Sequence, residues 1–256
     1  MADLIRAATA DHVCTITLDR PDKRNALTAT MIGTLRAKLH EAEENPSVRV
    51  IVLAATGAAF CAGLDLREMQ KQREAGEADL GPLEVVLEEV EACPLPTIAA
   101  VQGDALAGGC ELALHCDLVV ASEQARFGMP LARIGLAVPV TLTWKLIDTI
   151  GAGKTKEMLF TAEPVGAPEA LAIGLVNRVV AAGDLDAAVR KIAGTIAHNA
   201  PLAVRAMKAF VQRGIDRTTT RRDDLEALAR QVRSSDDLKE GLVAQLGRRT
   251  PVFQGR

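Results

Sequence analysis

The chain has 256 residues, 48% hydrophobic and 25% charged, enough length and apolar content to bury a sizeable core as one large domain or two small ones. Thirty basic residues against 33 acidic ones leave a formal net charge of −3, which excludes a nucleic-acid-binding excess of base and a polyacidic tail. No apolar run reaches membrane-spanning length, and the opening Met1-Ala2-Asp3-Leu4-Ile5-Arg6 lacks a basic start followed by an apolar run. The expected setting is cytoplasmic, with no membrane and no nucleic acid as partner. Five scattered cysteines, Cys14, Cys61, Cys93, Cys110 and Cys116, sit in apolar surroundings and read as buried thiols rather than a disulfide framework. Tyrosine is absent, so no mechanism can draw on a tyrosyl hydroxyl.

Val13 to Leu18 is a β-branched run that predicts a strand, closed by the turn-forming Asp19-Arg20-Pro21-Asp22. Thr28 is placed to cap a helix whose Ile32, Leu35 and Leu39 share one face, and Asn45-Pro46 stops it before a strand over Val48 to Leu53. After a Gly/Ala-rich loop and a polar stretch from Gln70 to Gly81, Leu83, Val86, Leu87 and Val90 make a second helical face, ended by Cys93-Pro94-Leu95-Pro96. Thr97 to Val101 reads as a strand, Gly108 onward as a helix, and Asp117 to Ala121 as a further strand, which together predict a layered α/β core. From about Leu185 the pattern is helical only. Asp184 is a candidate cap, Ala200-Pro201 restarts a helix, and Ser234 or Ser235 caps a last one carrying Leu238, Leu242 and Leu246.

Two segments put small residues where a strand hands over to a helix: Gly57 to Leu66, and Val101 to Leu112 with its Gly108-Gly109 pair. Glycine there permits positive φ and close approach of a ligand, and leaves the first helical N–H groups free for an anion or a developing oxyanion. Either segment alone is equally readable as a tight turn built for packing. Other motifs point nowhere. Gly151-Ala152-Gly153-Lys154-Thr155 ends like a phosphate-binding loop, but its first glycine would have to stand at Asp148, and the preceding Thr143 to Ile150 is helical in pattern. Cys110, His115 and Cys116 lack paired zinc-ligand spacing and read as packing, so no metal site is expected.

Taken together, the two junctions resemble those of the crotonase superfamily, whose best-known member is enoyl-CoA hydratase. The resemblance extends along nearly the whole chain. Arg20-Pro21-Asp22-Lys23-Arg24-Asn25-Ala26-Leu27 is similar to the family's early signature, and Cys116-Asp117, Leu159-Phe160-Thr161, Gly174-Leu175-Val176 and the closing Arg248-Arg249-Thr250-Pro251-Val252-Phe253 also fit. It implies an α/β fold, a spiral of repeated ββα units over 1–190 with a C-terminal helical trimerisation region over 191–256. It also implies an acyl-CoA substrate, with coenzyme A entering as part of that substrate, no metal or redox cofactor, and a homotrimer or homohexamer.

By the same resemblance, the N–H groups of Leu64 and Gly108 hold the thioester oxygen, and Glu111, about one turn into the helix that begins at Gly108, moves the proton. Preorganised donors at such an oxygen stabilise the enolate-like charge. Ala62, Asp65, Leu131 and Phe253 are implied in substrate binding. Lys23 and Arg24, with Arg248 and Arg249, suit contacts to CoA phosphates, against the plainer reading of solvated surface charge. The chain departs from the hydratase pattern at one point: the family's second glutamate, after a proline, is here Leu131. Hydration then lacks one acid/base group. Glu111 alone can shift a double bond, or Glu68 or Glu84 can substitute, although both read first as solvated helix residues. Two alternatives remain. One is a methylmalonyl-CoA-type decarboxylase, whose polar groups are replaced here by Leu64 and, near the second, Val140. The other is an acyl-CoA-binding protein without hydratase activity.

Overall fold

The computed structural model describes residues 4–75, 81–215, 231, 235–247 and 249–256. The chain opens with β1 (Ile5–Ala10) and β2 (Val13–Leu18), an antiparallel hairpin whose turn residues Asp11 and His12 both take positive φ, 48° and 65°, matching the strand twist. The sequence pattern does not mark β1. Half of its residues are alanine and all but Ile5 are exposed, so it shows neither apolar alternation nor a β-branched run. Helix α1 (Ala29–Glu44) starts where the pattern places it, with the Thr28 hydroxyl accepting the Met31 N–H at 3.2 Å, and it buries Ile32, Leu35 and Leu39.

A unit then repeats, a long strand followed by a short one and a helix. The first copy is β3 (Val50–Ala55), β4 (Ala59–Cys61), α2 (Leu66–Glu74) and α3 (Gly81–Ala92). The second is β5 (Thr97–Val101), β6 (Asp104–Leu106) and α4 (Gly108–His115). The third is β7 (Leu118–Ser122), β8 (Arg126–Gly128), a 3₁₀ turn over Pro130–Ile134 and α5 (Val140–Thr161), which Gly151 breaks with φ 75° and ψ 157°. The chain continues through β9 (Val165–Gly166), α6 (Ala167–Ala172) and β10 (Arg178–Val180). The long strands form a six-stranded sheet in the order β1-β2-β3-β5-β7-β10, and the short ones a four-stranded sheet in the order β4-β6-β8-β9. Each turn therefore adds one strand to each sheet, the spiral of ββα units the resemblance implies. The short strands are invisible to periodicity because three residues hold less than two periods of alternation, and α2 extends well into the stretch that reads as polar loop.

The large sheet is covered on both faces, which explains why β3 and β5 read as continuous apolar runs. One face packs against α1, α3 and the small sheet around Leu35, Val86, Phe60 and Phe127. The other is closed by α7 (Leu185–Ala197), whose Leu185, Val189, Ala193 and Ala197 bury Val50, Val52, Ile98 and Val120. Position 190, where the sequence suggested a boundary, falls inside this helix. Asp184 occupies the N-cap of α7 but makes no capping side-chain bond. Helices α8 (Pro201–Ile215) and α9 (Asp236–Leu246) follow, and the Ser235 hydroxyl accepts the Leu238 N–H at 3.1 Å; Ser234 lies outside the described residues. All five cysteines are free and buried. Among the described residues, no helix is long and apolar enough to cross a membrane, and no cluster of side chains is arranged to hold a metal.

Candidate active site

The loop from Arg20 to Leu27 fixes the first junction. Asn25, fully buried and at φ 53°, accepts the Arg20 N–H through Oδ1 at 2.8 Å and donates its amide to the carbonyls of Thr56 and Ala59 at 2.9 and 2.8 Å. Leu27 then forms a parallel bridge to Leu64: the Leu27 N–H donates to the Gly63 carbonyl, and the Asp65 N–H donates to the Leu27 carbonyl, both at 2.8 Å. This bridge uses the groups on either side of residue 64 and turns the Leu64 N–H the other way.

The second junction is the start of α4. Its N-cap is Ala107, at φ 49° and ψ −125°, a conformation that costs a residue with a side chain roughly 1–3 kcal/mol and persists where its surroundings impose it. The imposition is visible in the packing. A Cβ on Gly109 would lie 2.1 Å from the Cys61 carbonyl oxygen, and one on Gly63 would lie 2.9 Å from the Ala107 Cβ and 3.0 Å from the Gly108 nitrogen. Only glycine lets α4 press this closely on the turn after β4. Among the described residues, neither the Leu64 N–H nor the Gly108 N–H donates to a protein acceptor.

Both residues line a cavity of about 320 Å³. Its wall is apolar, with Ala62, Met69, Leu83, Leu131, Ile134 and Leu136, and its charged members are Glu84, Glu111 and Arg133. Glu111 is 6% exposed, and burial, with a smaller contribution from the charge of Glu84, pushes its carboxyl up to about 7. A second cavity of about 660 Å³ adjoins on the other side of Glu111. There the His115 Nδ1 donates to the Glu111 carbonyl oxygen at 2.7 Å, and Glu91 pairs with Lys145 at 2.8 Å.

The raised Glu111 makes stability depend on pH. The folded state holds the proton until about 7, whereas the unfolded carboxyl releases it near 4.5, so the contribution of this one group is most favourable below about 4.5 and is lost as pH rises from there to about 7. Glu111→Gln removes this loss. Urea denaturation should show the variant gaining roughly 3 kcal/mol over wild type above pH 7 and nothing below pH 4.5. A gain independent of pH would show that Glu111 is not raised.

Comparison with known proteins decides the family. A family model described as enoyl-CoA hydratase/isomerase matches residues 8–256. The chain is 35% identical over 241 residues to a short-chain-enoyl-CoA hydratase of Clostridium acetobutylicum, covering 93% of this chain and 92% of the relative. It is also 35% identical over 246 residues to a crotonyl-CoA hydratase of Syntrophomonas wolfei, covering 95% of each. The crystal structure of an enoyl-CoA hydratase from Bacillus anthracis superposes with a TM-score of 0.91 at 33% identity, over 99% of this chain and 100% of that one. This chain belongs to the enoyl-CoA hydratase/isomerase family.

An enzyme of the enoyl-CoA hydratase/isomerase family, it gathers some of the sequence-derived site residues and leaves others apart. Leu64, Gly108, Glu111, Ala62 and Leu131 share the 320 Å³ cavity. Asp65 does not line it. Its Oδ2 pairs with Arg20 at 2.8 Å, and its Oδ1 accepts the N–H groups of Arg67 and Glu68 at 3.0 and 3.3 Å, so it anchors the start of α2. The Arg20 guanidinium holds this carboxyl below the usual range. Lys23 and Arg24 are exposed on the early loop, where Arg24 contributes its carbonyl to the Ala62 N–H at 3.0 Å. Phe253 packs beside Gly241 on α9, and its carbonyl accepts from the Arg49 guanidinium at 2.7 Å, off the cavity wall of this chain. Arg249 is paired with Glu240 at 2.6 Å, and Arg248 lies outside the described residues. Lys154, the lysine of the apparent phosphate loop, lies in α5 and pairs with Glu157 of the same helix and with Glu169 of α6.

Arg133, Ile134 and Leu136 escape the sequence analysis, because a 3₁₀ turn and the extended chain after it carry no periodic signal. The strain at Ala107 escapes it as well, since alanine there reads as one more small residue.

Proposed function

We propose that this enzyme transforms enoyl-CoA thioesters, with the Leu64 and Gly108 N–H groups receiving the thioester oxygen and Glu111 transferring the proton. One observation carries this reading: a buried carboxyl shares an apolar cavity with two backbone donors that have no protein acceptor. Chemistry beside a thioester carbonyl passes through an enolate-like state, and two preorganised donors in a dry pocket stabilise its charge, by about 3–4 kcal/mol for a donor of this kind. A carboxyl raised to about 7 is matched to moving protons to and from carbon near neutral pH. The names of the Clostridium and Syntrophomonas relatives agree with an enoyl substrate. Coenzyme A enters as part of that substrate, and the reading draws on no metal or redox group. It also carries self-association as a homotrimer or homohexamer, supported by Trp144 on α5 and Val211 on α8, which are 63% and 64% exposed in the single chain.

The test is mass spectrometry of short and long 2-enoyl, 3-enoyl and methylmalonyl thioesters of CoA incubated in ¹⁸O-water and, separately, in D₂O. Incorporation of ¹⁸O, or double-bond movement with deuterium uptake, is the expected result. Loss of CO₂ from the methylmalonyl thioester alone would replace this reading with the decarboxylase, and silence across the panel would overturn it.

A further inference from the structure

Adding water across a carbon–carbon double bond needs two proton operations, one leaving water and one arriving on carbon. Glu111 supplies one group, and Leu131 supplies none. Of the two acids the sequence offers as substitutes, Glu68 is engaged elsewhere: its carboxylate accepts the Ala29 N–H at 3.0 Å and holds the start of α1.

Glu84 is placed differently. It stands in the first turn of α3, directly after Leu83, and Leu83 rests so closely on α4 that a Cβ on Gly108 would come 2.7 Å from its Cδ2. That contact brings residue 84 to the cavity. Glu84 and Glu111 both line the 320 Å³ cavity and both line the adjoining 660 Å³ one, so they flank the space between them. Among the described residues Glu84 has no ion-pair partner, and its exposed position puts it at the rim where solvent enters.

We propose that Glu84 is the second carboxylate of this site and accepts the proton of the attacking water, which gives a chain carrying Leu131 the ability to hydrate a 2-enoyl thioester. The inference rests on the reading of Glu111 as the proton-transfer group. In the step, the water oxygen bonds to C3 while one of its protons passes to Glu84. The C2=C3 electron pair moves to C1–C2, and the carbonyl pair moves onto the thioester oxygen. As the carbonyl re-forms, C2 takes the proton of Glu111. Glu84 then gives its proton to solvent and Glu111 takes one back, restoring both groups. The division of roles follows the surroundings: the buried acid keeps its proton to about 7, and the rim carboxylate meets the water.

The decisive variant is Glu84→Gln, an exposed position whose change leaves the core intact. With a 2-enoyl thioester in ¹⁸O-water, its rate of ¹⁸O incorporation should fall about 10²-fold or more with KM little changed. The pH midpoint of the kcat/KM limb belonging to Glu111 should also move lower, because a neighbouring negative charge is gone. That limb is compared with the remaining charged groups unchanged: Arg133 in the same cavity, Glu88 and Glu91 on α3, His115 on α4, and Lys145 and Asp148 on α5. Wild-type ¹⁸O incorporation by Glu84→Gln overturns the inference. If the wild type shifts double bonds without taking up ¹⁸O, and Glu111→Gln abolishes that, the inference falls while the role of Glu111 stands. If Glu111→Gln is fully active, both fall.

Discussion

Replacing Glu111 by Gln should lower turnover of an enoyl thioester by about 10²- to 10⁴-fold while leaving affinity for a non-reacting CoA thioester nearly unchanged. The amide preserves shape and burial but neither gives nor takes a proton, so the loss falls on the chemical step. In the proposed reading, binding rests on other groups, the apolar wall and the Leu64 and Gly108 donors. Steady-state kinetics with calorimetric titration of a saturated acyl-CoA separates the two effects. A variant with wild-type kcat would remove Glu111 from the mechanism. Because the same change is expected to stabilise the fold at neutral pH, loss of activity cannot be assigned to unfolding; the site retains a destabilising buried acid for its chemistry.

The second large effect is expected at Gly109, which does not line the 320 Å³ cavity. In Gly109→Ala the new methyl meets the Cys61 carbonyl oxygen at 2.1 Å, and because the obstacle is main chain that cannot swing aside, α4 must move away from β4. Overpacking of this kind costs about 1–3 kcal/mol, more than alanine returns in helix propensity. The displacement carries Gly108 with it and separates its N–H from that of Leu64. Loss of one such donor corresponds to about 10²- to 10³-fold in kcat. Gly153→Ala is the control: nothing lies within 4 Å of its Cβ position, so stability should hold or rise by up to about 1 kcal/mol, with kcat unchanged. Urea denaturation and kcat measured on both variants check the pair, and a Gly109→Ala enzyme with intact stability and turnover would show that the close approach is not required.

The elements legible from sequence are those long enough to show a period. The α1 face of Ile32, Leu35 and Leu39 and the strand from Thr97 to Val101 lie where their patterns place them. The short strands β4 and β6 carry the glycine-rich junctions, yet they and β8 have too few residues to alternate, and their pairing is decided by the spiral rather than by local propensity. The candidate site divides along the same line. Leu64, Gly108 and Glu111 are legible because their position relative to the glycines is local. Glu84 is legible only as one of two possible substitutes: what separates it from Glu68 is the packing of Leu83 of one helix on the first residue of another, which no local pattern shows. Asp65, implied in substrate binding by the resemblance alone, lies off the cavity wall for a related reason: its partner Arg20 stands 45 residues earlier in the chain, beyond the reach of a local pattern.

The small sheet sets β4, β6 and β8 side by side, and each is followed within a few residues by a group on the cavity wall: Leu64, Gly108 and Leu131. The first two rungs offer main-chain N–H groups, and the third offers only a side chain. The chemistry at residue 131 can therefore be rewritten without touching the main-chain geometry proposed to receive the carbonyl. A carboxylate gained or lost on that third rung is a single-residue event, so the reaction can change on this scaffold while the two main-chain donors proposed to hold the oxygen stay fixed.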